Sequence, residues 1–149
     1  MGGVLQNVLD TITSLHVRGK WVEVVTLVVP GMNDADEELI DIAKFLYSIS
    51  PDIPWHVTAY HQDYKMEAAE VTPISTLIRA AEIGYDAGLH FVYTGNRPGQ
   101  TRNYENTYCY SCYELLIERY GFRVLSNKLS NGTCFKCKSK IAGRWNNAA

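Results

Sequence analysis

The sequence predicts an α/β chain, a parallel sheet with its helices, followed by a small four-cysteine metal ribbon. Three observations predict it. Helical and strand patterns alternate three times over residues 1–95, the order that builds βαβ units around a parallel sheet. Residues 21–29, WVEVVTLVV, form an apolar, β-branched run of the kind found in strands buried on both faces. All four cysteines fall in two Cys-x2-Cys pairs, Cys109 with Cys112 and Cys134 with Cys137, 21 residues apart.

Taken in order, Val4 to His16 carries Val4, Val8, Ile12 and Leu15 at helical spacing, widened by Leu5 and Leu9. The strand Trp21 to Val29 follows, expected to be covered on both sides. Asn33-Asp34 opens a second helix, with Asp34 and Glu37 at capping-box spacing. Its buried stripe is Leu39, Ile42, Ala43, Leu46 and Ile49, and Ser50-Pro51 breaks it. Trp55 to Tyr60 is a second strand, leading into a polar loop, His61 to Val71. Thr72-Pro73 supplies a capping hydroxyl and an N1 proline. Ile74, Leu77, Ile78, Ala81 and Tyr85 then face inward until Gly88, a left-handed C-cap. Leu89 to Tyr93 is a third strand. The loop from Thr94 to Thr107 marks the boundary, giving units 1–95 and 96–149. In the second unit, Glu114 to Tyr120 and Phe122 to Leu125 form a hairpin turning at Gly121, and Asn131-Gly132-Thr133 is a tight turn.

Each Cys-x2-Cys turn presents two thiolates to one ion, and two such turns close a tetrahedral cage. The spacing is of the zinc-ribbon or rubredoxin type. Zinc, mononuclear iron and an iron–sulfur cluster all suit four sulfurs. Two disulfides are the alternative, disfavoured because no leader pattern opens the chain. Proline and glycine usually follow the cysteines of such knuckles; here Tyr110, Tyr113, Phe135 and Lys138 stand there.

The net charge of −2 hides an asymmetry. From Arg119 onward there are seven Lys and Arg and no Asp or Glu, so that segment carries +7 and the rest −9. The basic segment is expected to lean on acidic surface of its own chain; nucleic acid is not the expected partner. No apolar run approaches the roughly 20 residues of a membrane span, and a cytoplasmic protein is expected.

Ligands of parallel α/β sheets sit at the carboxyl ends of the strands. The stretches placed there are Pro30-Gly31-Met32-Asn33-Asp34, His61-Gln62-Asp63 and Thr94-Gly95-Asn96-Arg97. Gly31, lacking a Cβ, lets a ligand approach the backbone. His56 and His90 read as satisfied core or sheet-face histidines, not as ligands. No phosphate loop, nucleophile elbow or His-Glu-x-x-His motif occurs.

The stretches LVVPGMND, PWHVTAYHQDYKM, TPISTLIRAAEIGYDAGLHFVYTGN, NTYCYSC and CFKCKSKIAGRW resemble, in that order, the C-terminal part of the AmmeMemoRadiSam-system radical SAM proteins, relatives of pyruvate formate-lyase activating enzyme. The resemblance spans about Val8 to Trp145. It implies a partial (β/α) barrel of which this chain holds the last strands, with S-adenosylmethionine and a [4Fe-4S] cluster in the full-length protein. It further implies that Val29, Pro30 and Gly31 lie near the SAM adenosine and that His61 lines the same pocket. The family's Cys-x3-Cys-x2-Cys motif is absent, as is the glycine-rich strand end that holds the methionine amino group. The chain is therefore expected to be inactive alone, to work on an unknown substrate when completed, and to self-associate through an open sheet edge. The alternative is a stand-alone α/β binding module whose zinc ribbon contacts protein or RNA.

Overall fold

The computed structural model describes residues 3–62 and 70–145. The elements run α1 (Leu5–Val17), β1 (Val24–Val28), α2 (Asp36–Ile49), β2 (Trp55–Ala59), α3 (Ile74–Asp86), β3 (Val92–Gly95), β4 (Thr107–Tyr108), β5 (Leu115–Tyr120) and β6 (Arg123–Asn127). Strands β1, β2 and β3 form a parallel sheet in that order, and β4, β5 and β6 form a second sheet, antiparallel. No helix among the described residues is long and apolar enough to cross a membrane.

The α/β order and the parallel sheet are as the alternating pattern predicts. Strand alternation sends Val28, Trp55, Val57, Ala59 and Val92 to one face, where they pack with Leu39, Ala43 and Leu46 of α2 and Leu77, Ala80 and Ala81 of α3. Gly84 lets α3 lie close: a Cβ there would stand 2.8 Å from Val92 Cγ2 and 2.9 Å from Trp55 Cε3. The opposite face, carrying Glu23, Val25, His56, Thr58, Phe91 and Tyr93, has no helix on it among the described residues and lines a cavity.

Several local expectations are corrected. β1 is covered on one face only: Val28 is fully buried, while Val25 is 64% and Leu27 46% exposed. The run is apolar throughout, but β1 is an edge strand and α2 and α3 pack on one side. Asp34 caps no helix; its Oδ1 accepts from the Gly31 N–H at 2.8 Å, and Asn33 bonds the β1 end through the Val29 N–H and the Leu27 carbonyl. Thr72 caps no helix either. Its buried hydroxyl accepts from the Tyr60 N–H at 2.7 Å and donates to the Val28 carbonyl at 2.6 Å, tying β2 to β1. β3 begins three residues later than expected, because the N–H of Leu89 turns back to the Gly84 carbonyl and that of His90 goes to the Pro51 carbonyl, so ladder pairing starts at Val92. The buried stripe of α3 is Thr76, Leu77, Ala80, Ala81 and Gly84, rotated from the expected one. Helix α1 is present, but only Ile12 packs on the core, and Val4, Leu5 and Val8 are more than half exposed.

Gly88 has φ of +100° just past α3, as a C-cap glycine should. Gly121 turns the β5–β6 hairpin with φ of +57°, and Asn131-Gly132 is a tight turn closed by paired bonds between Ser130 and Thr133. A second core holds Cys109, Cys134, Leu116, Ile117 and Ile141, with Phe91 contributed by the first sheet.

Candidate metal centre and sheet-face cavity

The structure brings Cys109, Cys112, Cys134 and Cys137 together. Their sulfurs all lie within 4.8 Å of one another, with Cys109 to Cys137 at 3.5 Å and Cys112 to Cys134 at 3.7 Å. Bonds of about 2.3 Å to a central zinc imply a tetrahedral edge of about 3.8 Å, so the spacing fits an ion. It is far too long for disulfides, whose sulfurs stand about 2.05 Å apart, and all four cysteines are free.

Both knuckles are built alike. The N–H of Tyr113 bonds the Cys109 carbonyl and that of Lys138 the Cys134 carbonyl, while Cys109 N–H reaches Glu114 O and Cys134 N–H reaches Ser139 O. Tyr113 and Lys138 hold φ of +58° and +65°; the positions where glycine is usual keep the left-handed backbone without it. The 21-residue interval is filled by the hairpin.

Hydrogen bonds from the Ser139 hydroxyl and backbone push the Cys137 thiol down to about 6. At Cys112 the Glu114 backbone bond favours the thiolate, but desolvation and the three neighbouring sulfurs outweigh it and push the thiol up to about 12. Four sulfurs this close ionise together only around a cation. Lys136 Nζ meets Glu114 Oε2 at 2.9 Å, linking the second knuckle to the first and holding the Glu114 carboxyl below its usual range. This ion pair is one instance of the basic segment leaning on its own chain.

Val29, Pro30, Gly31 and His61 gather along one edge. Val28 pairs with Ala59, so Pro30 and His61 lie two residues beyond the last paired positions of neighbouring strands. Val29 is 7% exposed, and a Cβ on Gly31, at φ of +73°, would meet nothing within 4 Å. Asn96, after β3, donates to the Ala59 carbonyl at 3.0 Å along the same edge. Asp63 lies outside the described residues. None of Val29, Pro30, Gly31 and His61 lines the sheet-face cavity.

That cavity, about 830 Å³, lies between the bare face of the first sheet and the ribbon. His56 Nε2 is 2.9 Å from Glu23 Oε2, Trp21 Nε1 donates to Glu23 Oε1 at 2.8 Å, and the His56 ring leans on Tyr93 with centroids 5.2 Å apart. The Tyr93 hydroxyl bonds Thr107 Oγ1 at 2.9 Å, and Arg119 Nη1 donates to the same oxygen at 2.7 Å, its guanidinium 5.5 Å from the Tyr93 centroid. Burial raises the Tyr93 hydroxyl, against the lowering effect of the Thr107 bond and the Arg119 charge. His90 sits elsewhere, at 2.9 Å from Asp52 and stacked on Tyr110. Sequence reading leaves His56 as a core or sheet-face histidine and misses Glu23 and Arg119. The alternation of charged with apolar residues in W-V-E-V-V is the one local trace of Glu23.

A parallel α/β sheet joined to a four-cysteine ribbon able to hold a metal ion is the class that fold and site define. No family model matches the chain. The chain is similar to the uncharacterized protein MJ0808 of Methanocaldococcus jannaschii, 39% identical over 140 residues. That alignment covers 92% of this chain and 41% of the relative, so the chain spans less than half of the relative's length.

Proposed function

We propose that this chain is the C-terminal part of a radical SAM enzyme related to pyruvate formate-lyase activating enzyme, and that it does not cleave SAM by itself. The observation that carries the reading is the one-sided sheet. Three parallel strands have helices on one face and a bare, cavity-lining face on the other, the arrangement of a barrel segment whose second face looks inward. The greater length of the similar archaeal protein agrees with it. In that family, SAM on a [4Fe-4S] cluster supplies a 5′-deoxyadenosyl radical. Here the cysteines all belong to the ribbon, leaving none to hold that cluster.

What this chain contributes is a wall. Val29, Pro30 and Gly31 offer the adenosine an apolar strand end and an open backbone, with His61 on the neighbouring strand. The cage is a closed structural site, because four sulfurs leave no position for substrate, and its ion is taken as zinc, with iron the alternative. The open edge of β1 is where a further strand, or a second copy, adds.

An antibody to this chain tests the assignment on source cells. A band far above 16.8 kDa supports it; a band at that mass moves the stand-alone binding module to the front. Anaerobic reconstitution of the chain with iron, sulfide and SAM is expected to give no 5′-deoxyadenosine, and its formation would overturn the claim of inactivity. Metal analysis is expected to give one zinc per chain; a coloured protein with stoichiometric iron would replace zinc in the cage.

A further inference from the structure

The charges around the sheet-face cavity do not balance among the described residues. Arg97, Arg119 and Arg144 line it, and none has a carboxylate partner among the described residues. Arg119 is half-buried, yet its bonds go to a hydroxyl and to the Glu105 carbonyl. The two cavity carboxylates are already engaged. Glu23 holds Trp21 and His56. Glu105 accepts from the backbone N–H groups of Gly99 and Gly121 at 2.5 and 2.6 Å. A guanidinium withdrawn from water without a counter-charge favours an anion from outside the chain.

The walls specify what accompanies that anion. Trp21, Phe91, Tyr93, Phe122 and Trp145 supply aromatic surface, and a cavity of this size suits a small organic molecule. Glu23, with Oε2 2.9 Å from His56 Nε2, fixes the orientation of the imidazole. His56 and Arg119 both flank Tyr93, within 5.5 Å of its ring centroid.

We infer that this cavity binds a small organic carboxylate with an aromatic or apolar body, its anionic end on Arg119 and its body against Tyr93. The inference does not depend on radical chemistry. Every residue it uses is in this chain, and the test reads binding, not turnover.

The test is calorimetric titration of the metal-loaded chain with phenylacetate, phenylpropionate and phenylbutyrate, with their methyl esters, and with inorganic phosphate. At least one acid should saturate, bind about tenfold or more tightly than its ester, and weaken as salt rises, because a charge-assisted bond is lost in the ester. Phosphate, lacking the body, should bind more weakly than the best acid. Arg119→Gln should weaken that acid about tenfold while retaining bound metal. If this variant sheds its metal, Arg119→Lys, which keeps the charge but not the planar fork of donors, carries the test and should still weaken the best acid. Esters binding as tightly as acids, phosphate binding as tightly as the best acid, affinity unchanged in every folded arginine variant, or no saturation by any acid would each overturn the inference.

Discussion

Tyr113 sits in the left-handed region with its side chain 81% exposed, so the strain of its Cβ has little packing to offset it. Tyr113→Gly is expected to stabilise the metal-loaded ribbon by about 1 kcal/mol, read as a higher denaturation midpoint at unchanged slope. Thr72 is the opposite case. Thr72→Val would leave the Tyr60 N–H and the Val28 carbonyl without their buried hydroxyl and should cost about 2 kcal/mol by urea unfolding, with Thr72→Ser losing much less. The two residues differ in legibility for a physical reason. The ligand spacing of a knuckle is covalently local, so the cysteines and the turn at Tyr113 can be read from a few neighbours. Thr72 bonds a carbonyl 44 residues away, and its position before Pro73 carries the local signature of a helix cap, which long-range pairing overrides.

At the scale of elements, periodicity located all three helices, because amphipathic faces recur at fixed spacing, and the turn at Gly121 located the hairpin. It did not reveal which faces are covered. The β1 run is apolar on both sides, but among the described residues helices pack on one face only, which leaves Val25 and Leu27 exposed. The packing of α3 on β3 can be probed through Tyr85. Its hydroxyl donates to the Val92 carbonyl at 3.0 Å, and burial pushes its pKa up from 10.0 to about 12. The folded state therefore holds the tyrosine neutral where the unfolded chain releases the proton. The stabilisation is fully present below pH 10 and is lost as pH rises toward 12, by roughly 2 to 3 kcal/mol. Unfolding free energies measured across that window should fall, and Tyr85→Phe should flatten the decline.

For the whole molecule, the two cores have different supports. The first is helix on sheet; the second is small and contains Cys109 and Cys134. Chelation at neutral pH is expected to unfold β4–β6 while β1–β3 persist, seen as hydrogen-exchange protection lost in the ribbon and kept in the parallel sheet. Loss of protection in both sheets together would mean one cooperative unit. The cavity is a property of this scale alone. Glu23, His56, Tyr93 and Arg119 come from four separate segments, and no local pattern assembles them.

The ribbon is also a lid on chromophores. The Tyr93 hydroxyl rests on Thr107 of β4, beneath Arg119 of β5, so its shielding from water lasts only while the second sheet stands. If an ion held by the four cysteines folds the ribbon, removing it should expose this phenol and return its ionisation toward the ordinary tyrosine range. An optical gauge is therefore expected: phenolate absorbance at about pH 10, where an ordinary tyrosine titrates, should rise as metal is withdrawn and fall as it is restored, without any added dye.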